Sequence, residues 1–102
     1  MTNAAKQTLQ VADIKNFVAQ VAPSYDVKKV TLFGSYANGE QTQDSDIDLL
    51  VEFGDTATYL TVFDFQYSIE EKIGLPVDVI PAPIPVDSIL EIGKEVLLYE
   101  HA

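Results

Sequence analysis

The chain has 102 residues, enough for one domain and too few for two. With 47% hydrophobic and 22% charged residues it has an ordinary globular composition, which argues against disorder. Sixteen acidic residues stand against six basic ones, all of them lysines, for a net charge of −10. That balance opposes direct nucleic-acid binding, which depends on neutralising phosphates with Lys and Arg. It either favours a basic protein partner or simply maintains solubility. The absence of cysteine excludes disulfides and thiolate metal sites. Met1 to Lys6 lacks an apolar leader segment, and no apolar run approaches the roughly 18 residues of a membrane span. The expectation is a single domain over residues 1–102, cytoplasmic, with no membrane contact.

In chain order, Val11, Ile14, Phe17, Val18 and Val21 recur at helical spacing, with Asp13 near the positive N-terminal end, so residues 10–22 read as a helix ended by Pro23. Val27 to Phe33 is short, apolar and β-branched, a strand that runs into Gly34. A brief helical turn follows Ser35 and closes at Asn38-Gly39. Glu40 to Ser45 is a polar connection, and Asp46 to Phe53 reads as the second strand. Residues 58–73 form a helix stopped by Gly74 and Pro76. Its Val62, Ile69 and Ile73 make one apolar stripe, and Leu60, Phe63 and Tyr67 a second, with Gln66 and Glu70 between them. One stripe covers the sheet. The other meets a partner or closes into the domain's own core. Pro76 to Ile80 reads as a short strand closed by Pro81, followed by the stiff connection Pro81 to Pro85. Ile89, Ile92, Val96 and Tyr99 suggest a last helix over 86–99. The predicted architecture is an αβαβαβα sandwich, an α/β fold with about three strands covered by helices.

Chemistry concentrates at Gly34-Ser35 and at Asp46-Ile47-Asp48. A Gly-Ser turn offers backbone N–H groups and a hydroxyl to a phosphate. Carboxylates at i and i+2 on a strand point to one face, while Ile47 and Leu49 point to the other. Two such carboxylates repel each other unless a divalent cation sits between them. An Asp-x-Asp in so acidic a chain is by itself more often solvated surface; the Gly-Ser turn at the preceding strand's end is what raises it. Asp78, between Val77 and Val79 on a strand expected to be buried, is either a structural Asp bonded to a turn or the third holder of that cation. Three carboxylates on adjacent strands match the hard-oxygen preference of Mg²⁺.

Gly34-Ser35, then Asp46-x-Asp48, then Asp78 on a later strand resemble the signature of the nucleotidyltransferase superfamily of DNA polymerase beta type. Within it the chain looks most like the minimal nucleotidyltransferase (MNT) branch, from about Val27 to Ile80. The resemblance implies a nucleotidyltransferase-type fold with a mixed sheet, and ATP as substrate. It implies that Gly34 and Ser35 hold the nucleotide phosphates. Asp46, Asp48 and Asp78 would be the catalytic carboxylates and the ligands of two Mg²⁺ ions, Asp78 accepting the proton of the attacking hydroxyl. Family members often carry Arg or Lys where this chain has Asn38. Phosphate neutralisation is therefore expected to rest on Mg²⁺ and backbone N–H groups, with Lys28 or Lys29 either adding to them or simply solvated.

Proteins of this kind usually occur beside a HEPN-domain protein, as the antitoxin half of a toxin–antitoxin pair. The implied function is transfer of AMP from ATP to a tyrosine of a basic HEPN ribonuclease toxin encoded next door, in a hetero-oligomer. A domain without room for an acceptor site needs an acceptor from outside, which agrees. Two alternatives stand beside it: an antitoxin that neutralises by binding alone, and a nucleotidyltransferase acting on a small antibiotic-type molecule. Tyr25, Tyr36, Tyr59 and Tyr99 read as packing residues, with Tyr36 also near enough to the turn to touch a base. His101 reads as a frayed end.

Overall fold

A computed structural model of the chain describes residues 9–40, 45–82 and 94–101. Helix α1 spans Val11–Val21 and runs into a 3₁₀ turn at Ala22–Ser24. Strand β1 (Val27–Phe33), the short helix α2 (Ser35–Asn38), strand β2 (Ile47–Phe53), helix α3 (Tyr59–Ile73), and strands β3 (Val77–Ala82) and β4 (Val96–Glu100) follow. The strands form one mixed sheet in the order β3-β2-β1-β4. β1 pairs antiparallel with both β2 and β4, and β2 pairs parallel with β3. A parallel pair needs a crossover, and α3 supplies it.

Local chemistry sets the helix ends. Asp13 Oδ2 accepts from the Gln10 amide (3.1 Å) at the start of α1. At the start of α3, Thr58 and Thr61 exchange bonds, Thr58 N donating to Thr61 Oγ1 (3.0 Å) and Thr61 N to Thr58 Oγ1 (3.4 Å). That reciprocal arrangement satisfies two amides the helix cannot. Gly74 ends α3 in the left-handed region.

Helices and strands bury one common core. Ile47, Leu49 and Val51 alternate inward along β2 and meet Leu32 and Val30 of β1, Ile14 and Val18 of α1, and Phe65 and Ile69 of α3. Each such side chain contributes about 1.5–3 kcal/mol by leaving water. Phe65 takes edge-on contacts from Tyr25 and Phe53, at centroid distances of 5.7 and 5.9 Å. Tyr25 Oη also shares a 2.6 Å hydrogen bond with Ser68 Oγ. The opposite face of the sheet carries Asp48 and Leu50 on β2 and Asp78 and Ile80 on β3.

The α/β class, the mixed sheet and the first three strands agree with expectation. Four expectations are corrected. The sheet has four strands among the described residues, because Val96–Glu100 is strand β4 where the end of a helix was expected; residues 86–93 of that expected helix lie outside the described residues. Val96, Leu97, Leu98 and Tyr99 are contiguous, so the same residues satisfy a strand, and the open edge of β1 offers them backbone partners. Strand β3 runs through Pro81 to Ala82; Pro is tolerated because β3 is an edge strand. His101 is tied, its amide donating to Lys28 O (2.8 Å). Tyr59 is not a packing residue but is 83% exposed.

Candidate functional site

Strand register builds the site. β2 is an inner strand, and Asp48 on it lies between Phe33 of β1 and Asp78 of β3. Gly34 follows Phe33 with φ 79° and ψ −156°, a conformation essentially reserved for glycine. It is required there twice over, because a Cβ on Gly34 would run into the Asp48 carboxylate. The turn after Gly34 thus closes directly over Asp48.

Helix α2 then begins at Ser35. Gly34 O accepts from the amides of Ala37 and Asn38 (both 3.1 Å) and from Asn38 Nδ2 (3.0 Å). The first-turn amides of Ser35 and Tyr36 have no intrahelical acceptor, the arrangement that suits an anionic oxygen. Asn38 therefore braces the turn through its side-chain amide. Tyr36 is 2% exposed, and burial pushes its hydroxyl pKa up; it is a core residue and not a base-stacking one.

Asp48 is half-buried, whereas Asp46, just before the strand, and Asp78 are exposed. The expectation of a buried Asp78 is thereby corrected: β3 is the sheet edge, and only Val77 and Val79 turn inward. Burial raises the pKa of Asp48, and the charges of Asp78 and Asp46 raise it further, as does a hydrogen bond with Asp78. Asp48 thus has Asp78 within hydrogen-bonding reach and feels the charge of Asp46 as well. Among the described residues no three His, Cys, Asp or Glu side chains are gathered closely enough to hold a metal ion as they stand. The arrangement is open, two carboxylates side by side with a third next to them. Its hard oxygens and uncompensated charge fit a divalent cation such as Mg²⁺, which would relieve the crowding.

Lys28 and Lys29 do not serve this site. They lie at the other end of β1, about 16–20 Å of strand away from Gly34. Lys28 is instead next to Asp26, and Lys29 lies over the sheet beside Glu52 and Glu95.

The sequence reading missed what aligns β3. Glu70 Oε2 accepts from the Val77 amide (2.9 Å) and Gln66 Oε1 from the Val79 amide (3.1 Å). These two side chains of α3 hold the backbone on either side of Asp78. Their i, i+4 spacing between two apolar stripes was the available signal.

A Gly-Ser turn closed over paired carboxylates on a mixed sheet is the frame of a domain that handles nucleoside triphosphates. The chain belongs to the nucleotidyltransferase domain family, whose model matches residues 11–97. It is 37% identical over 93 residues to "Putative protein adenylyltransferase MJ0435" of Methanocaldococcus jannaschii, covering 87% of this chain and 100% of that relative. In structure it is similar to a chain of a toxin–antitoxin complex solved with AMP-PNP, with TM-score 0.71, 20% identity, and coverage of 85% of this chain and 73% of that one. It is also similar to a chain of the tri-AMPylated HEPN toxin of Shewanella oneidensis in complex with its MNT antitoxin, with TM-score 0.66, 16% identity, and coverage of 90% and 74%.

Proposed function

We propose that this protein is a Mg²⁺- and ATP-dependent protein adenylyltransferase, the antitoxin of a HEPN-type ribonuclease toxin, and that it silences the toxin by transferring AMP to a tyrosine. The observation that carries this reading is the placement of Asp48 opposite Asp78, directly beneath the Gly34 turn. The family and the adenylyltransferase relative support it. The chain's net charge of −10 suits a basic partner.

Gly34 and Ser35 bind the nucleotide phosphates through the Ser35 hydroxyl and the free first-turn amides. Asp46, Asp48 and Asp78 would hold magnesium, as two ions, and bound magnesium would supply positive charge against that of the triphosphate. The partner's tyrosine Oη forms a bond to the α-phosphorus, and the bond from that phosphorus to the oxygen bridging it to the β-phosphorus breaks. Pyrophosphate leaves with that electron pair. The phenolic proton passes to the carboxylate of Asp78, which is exposed at the sheet edge where an incoming protein can reach it.

Intact-protein mass spectrometry of the partner after incubation with Mg-ATP tests this. The expected result is an AMP-sized increment on the HEPN-type protein, absent without Mg²⁺ and with Asp46→Asn plus Asp48→Asn. A stable complex with no increment would overturn catalysis in favour of neutralisation by binding. The scarcity of basic residues around the turn would then be the reason.

A further inference from the structure

Helix α3 presents two stripes. Phe65 and Ile69 are buried, with Val62 and Ile73 partly covered beside them. On the outward side Tyr59, Leu60, Phe63 and Tyr67 are 83%, 72%, 64% and 62% exposed. Four large apolar or aromatic side chains on one face of one helix are more than the scattered exposure normal for a surface. Aromatic residues of this kind dominate the buried centres of protein interfaces. We propose that this face of α3 is the docking surface for the partner protein, which would present an apolar stripe rimmed by Lys and Arg.

Three observations select that occupant. The outward side of α3 carries acidic charge, Asp64 beside Phe63 and Glu71 at the end of the stripe, in a chain with 16 acidic against 6 basic residues. Tyr67 Oη donates to Glu71 Oε2 (3.0 Å), which fixes the aromatic ring against that carboxylate. A second copy of the chain fits poorly. In a two-fold contact the face meets itself, so Asp64 and Glu71 would meet the same acidic side chains, with Lys72 the one cation of the helix near them. The third observation is position. Gln66 and Glu70 bond the Val79 and Val77 amides, so the Tyr67 end of the face lies level with Asp78 on the edge strand. A protein seated on α3 therefore lies along the edge strand that carries Asp78, and reaches that carboxylate, on the sheet's other face, around the edge.

The inference rests on the adenylyltransferase reading, and the test separates the two. Leu60→Glu with Phe63→Glu, and the milder Phe63→Ala, are compared with wild type against the purified HEPN-type partner. The measurements are titration of complex formation, the rate of AMP transfer over a range of partner concentrations, and the thermal shift given by Mg-ATP. Expected is binding weaker by about thirty-fold or more for the double variant, a raised KM for the partner, and an unchanged Mg-ATP thermal shift. The intact thermal shift shows that the variant is folded, and Phe63→Ala carries the comparison if the double variant is not. Wild-type transfer with equal binding and equal KM in the variants would overturn the docking surface and leave the activity standing. Failure of wild type to modify the partner would remove the activity itself. A wild-type homodimer in light scattering, dissolved by the substitutions while partner binding persists, would assign the face to self-association and overturn the proposal.

Discussion

Gly34 shows how one residue can be fixed by two independent demands. Its backbone occupies a region that costs other residues about 1–3 kcal/mol, and its missing side chain is the space taken by Asp48. Gly34→Ala is therefore expected to destabilise by at least about 2 kcal/mol, a fall in Tm of roughly 10 °C, and to displace the Asp48 carboxylate. Gly39→Ala is the control. Gly39 also has positive φ, 75°, yet a Cβ there meets nothing within 4 Å. Its cost is then the left-handed backbone alone, about 1 kcal/mol, with AMP transfer retained. Differential scanning fluorimetry and the transfer assay together distinguish the two; equal effects would mean that the closeness of Asp48 is immaterial.

Among the elements, the pairing of α3 with β3 links the catalytic edge to a helix. An edge strand exposes backbone amides, and Glu70 and Gln66 occupy two of them. Glu70→Leu leaves the partly buried Val77 amide without an acceptor, at a cost of about 1–3 kcal/mol, and loosens the strand that carries Asp78. The expected outcome is a lower Tm together with slower AMP transfer at saturating partner. Glu70→Gln keeps an oxygen in place and should recover both. If Glu70→Gln is as slow as Glu70→Leu, the charge of Glu70 and not its bond to β3 is what counts. At the other edge of the sheet, β4 shows why a periodic pattern misled. Val96 and Tyr99 fit helical spacing, but the contiguous run between them serves a strand equally well, and only the unpaired edge of β1 chose between the two.

For the whole molecule, two aspartates give opposite responses to pH. Asp26 accepts from the hydroxyl and then the amide of Thr56, with Lys28 and His101 nearby, and its carboxyl is held below the ordinary carboxylate range. The native state binds fewer protons there, so this contribution is full above the ordinary carboxylate pKa and is lost as pH falls through the lowered native value. Asp48 has the opposite sign. Its pKa is raised first by burial and then by the charges of Asp78 and Asp46, so stability falls as pH rises from the ordinary value through the native one. Thermal denaturation of wild type and Asp26→Asn from pH 7 down to pH 3 checks the first. Wild type should be the more stable at neutral pH, with the two curves converging in acid. A constant gap at all pH values would show that the Asp26 charge plays no part. Among the described residues no helix is long and apolar enough to cross a membrane. Among the described residues four of the six exposed large hydrophobic side chains lie on α3.

The sequence by itself determined most of the fold and the strands and turn on which the candidate site residues fall. Gly34-Ser35, Asp46, Asp48 and Asp78 are legible because strand alternation and glycine stereochemistry are local rules, and so are the boundaries of β1 and the two ends of α3. Three matters waited for the tertiary structure, all of them questions of which neighbour a segment finds. Asp78 proved exposed, because strand order puts β3 at the edge. Lys28 and Lys29 proved remote, because a strand carries its two ends apart. Of the two stripes on α3, the sheet could cover only one, and the core already held Phe65 and Ile69. Periodicity names the faces of a helix; only packing decides which of them is left facing water.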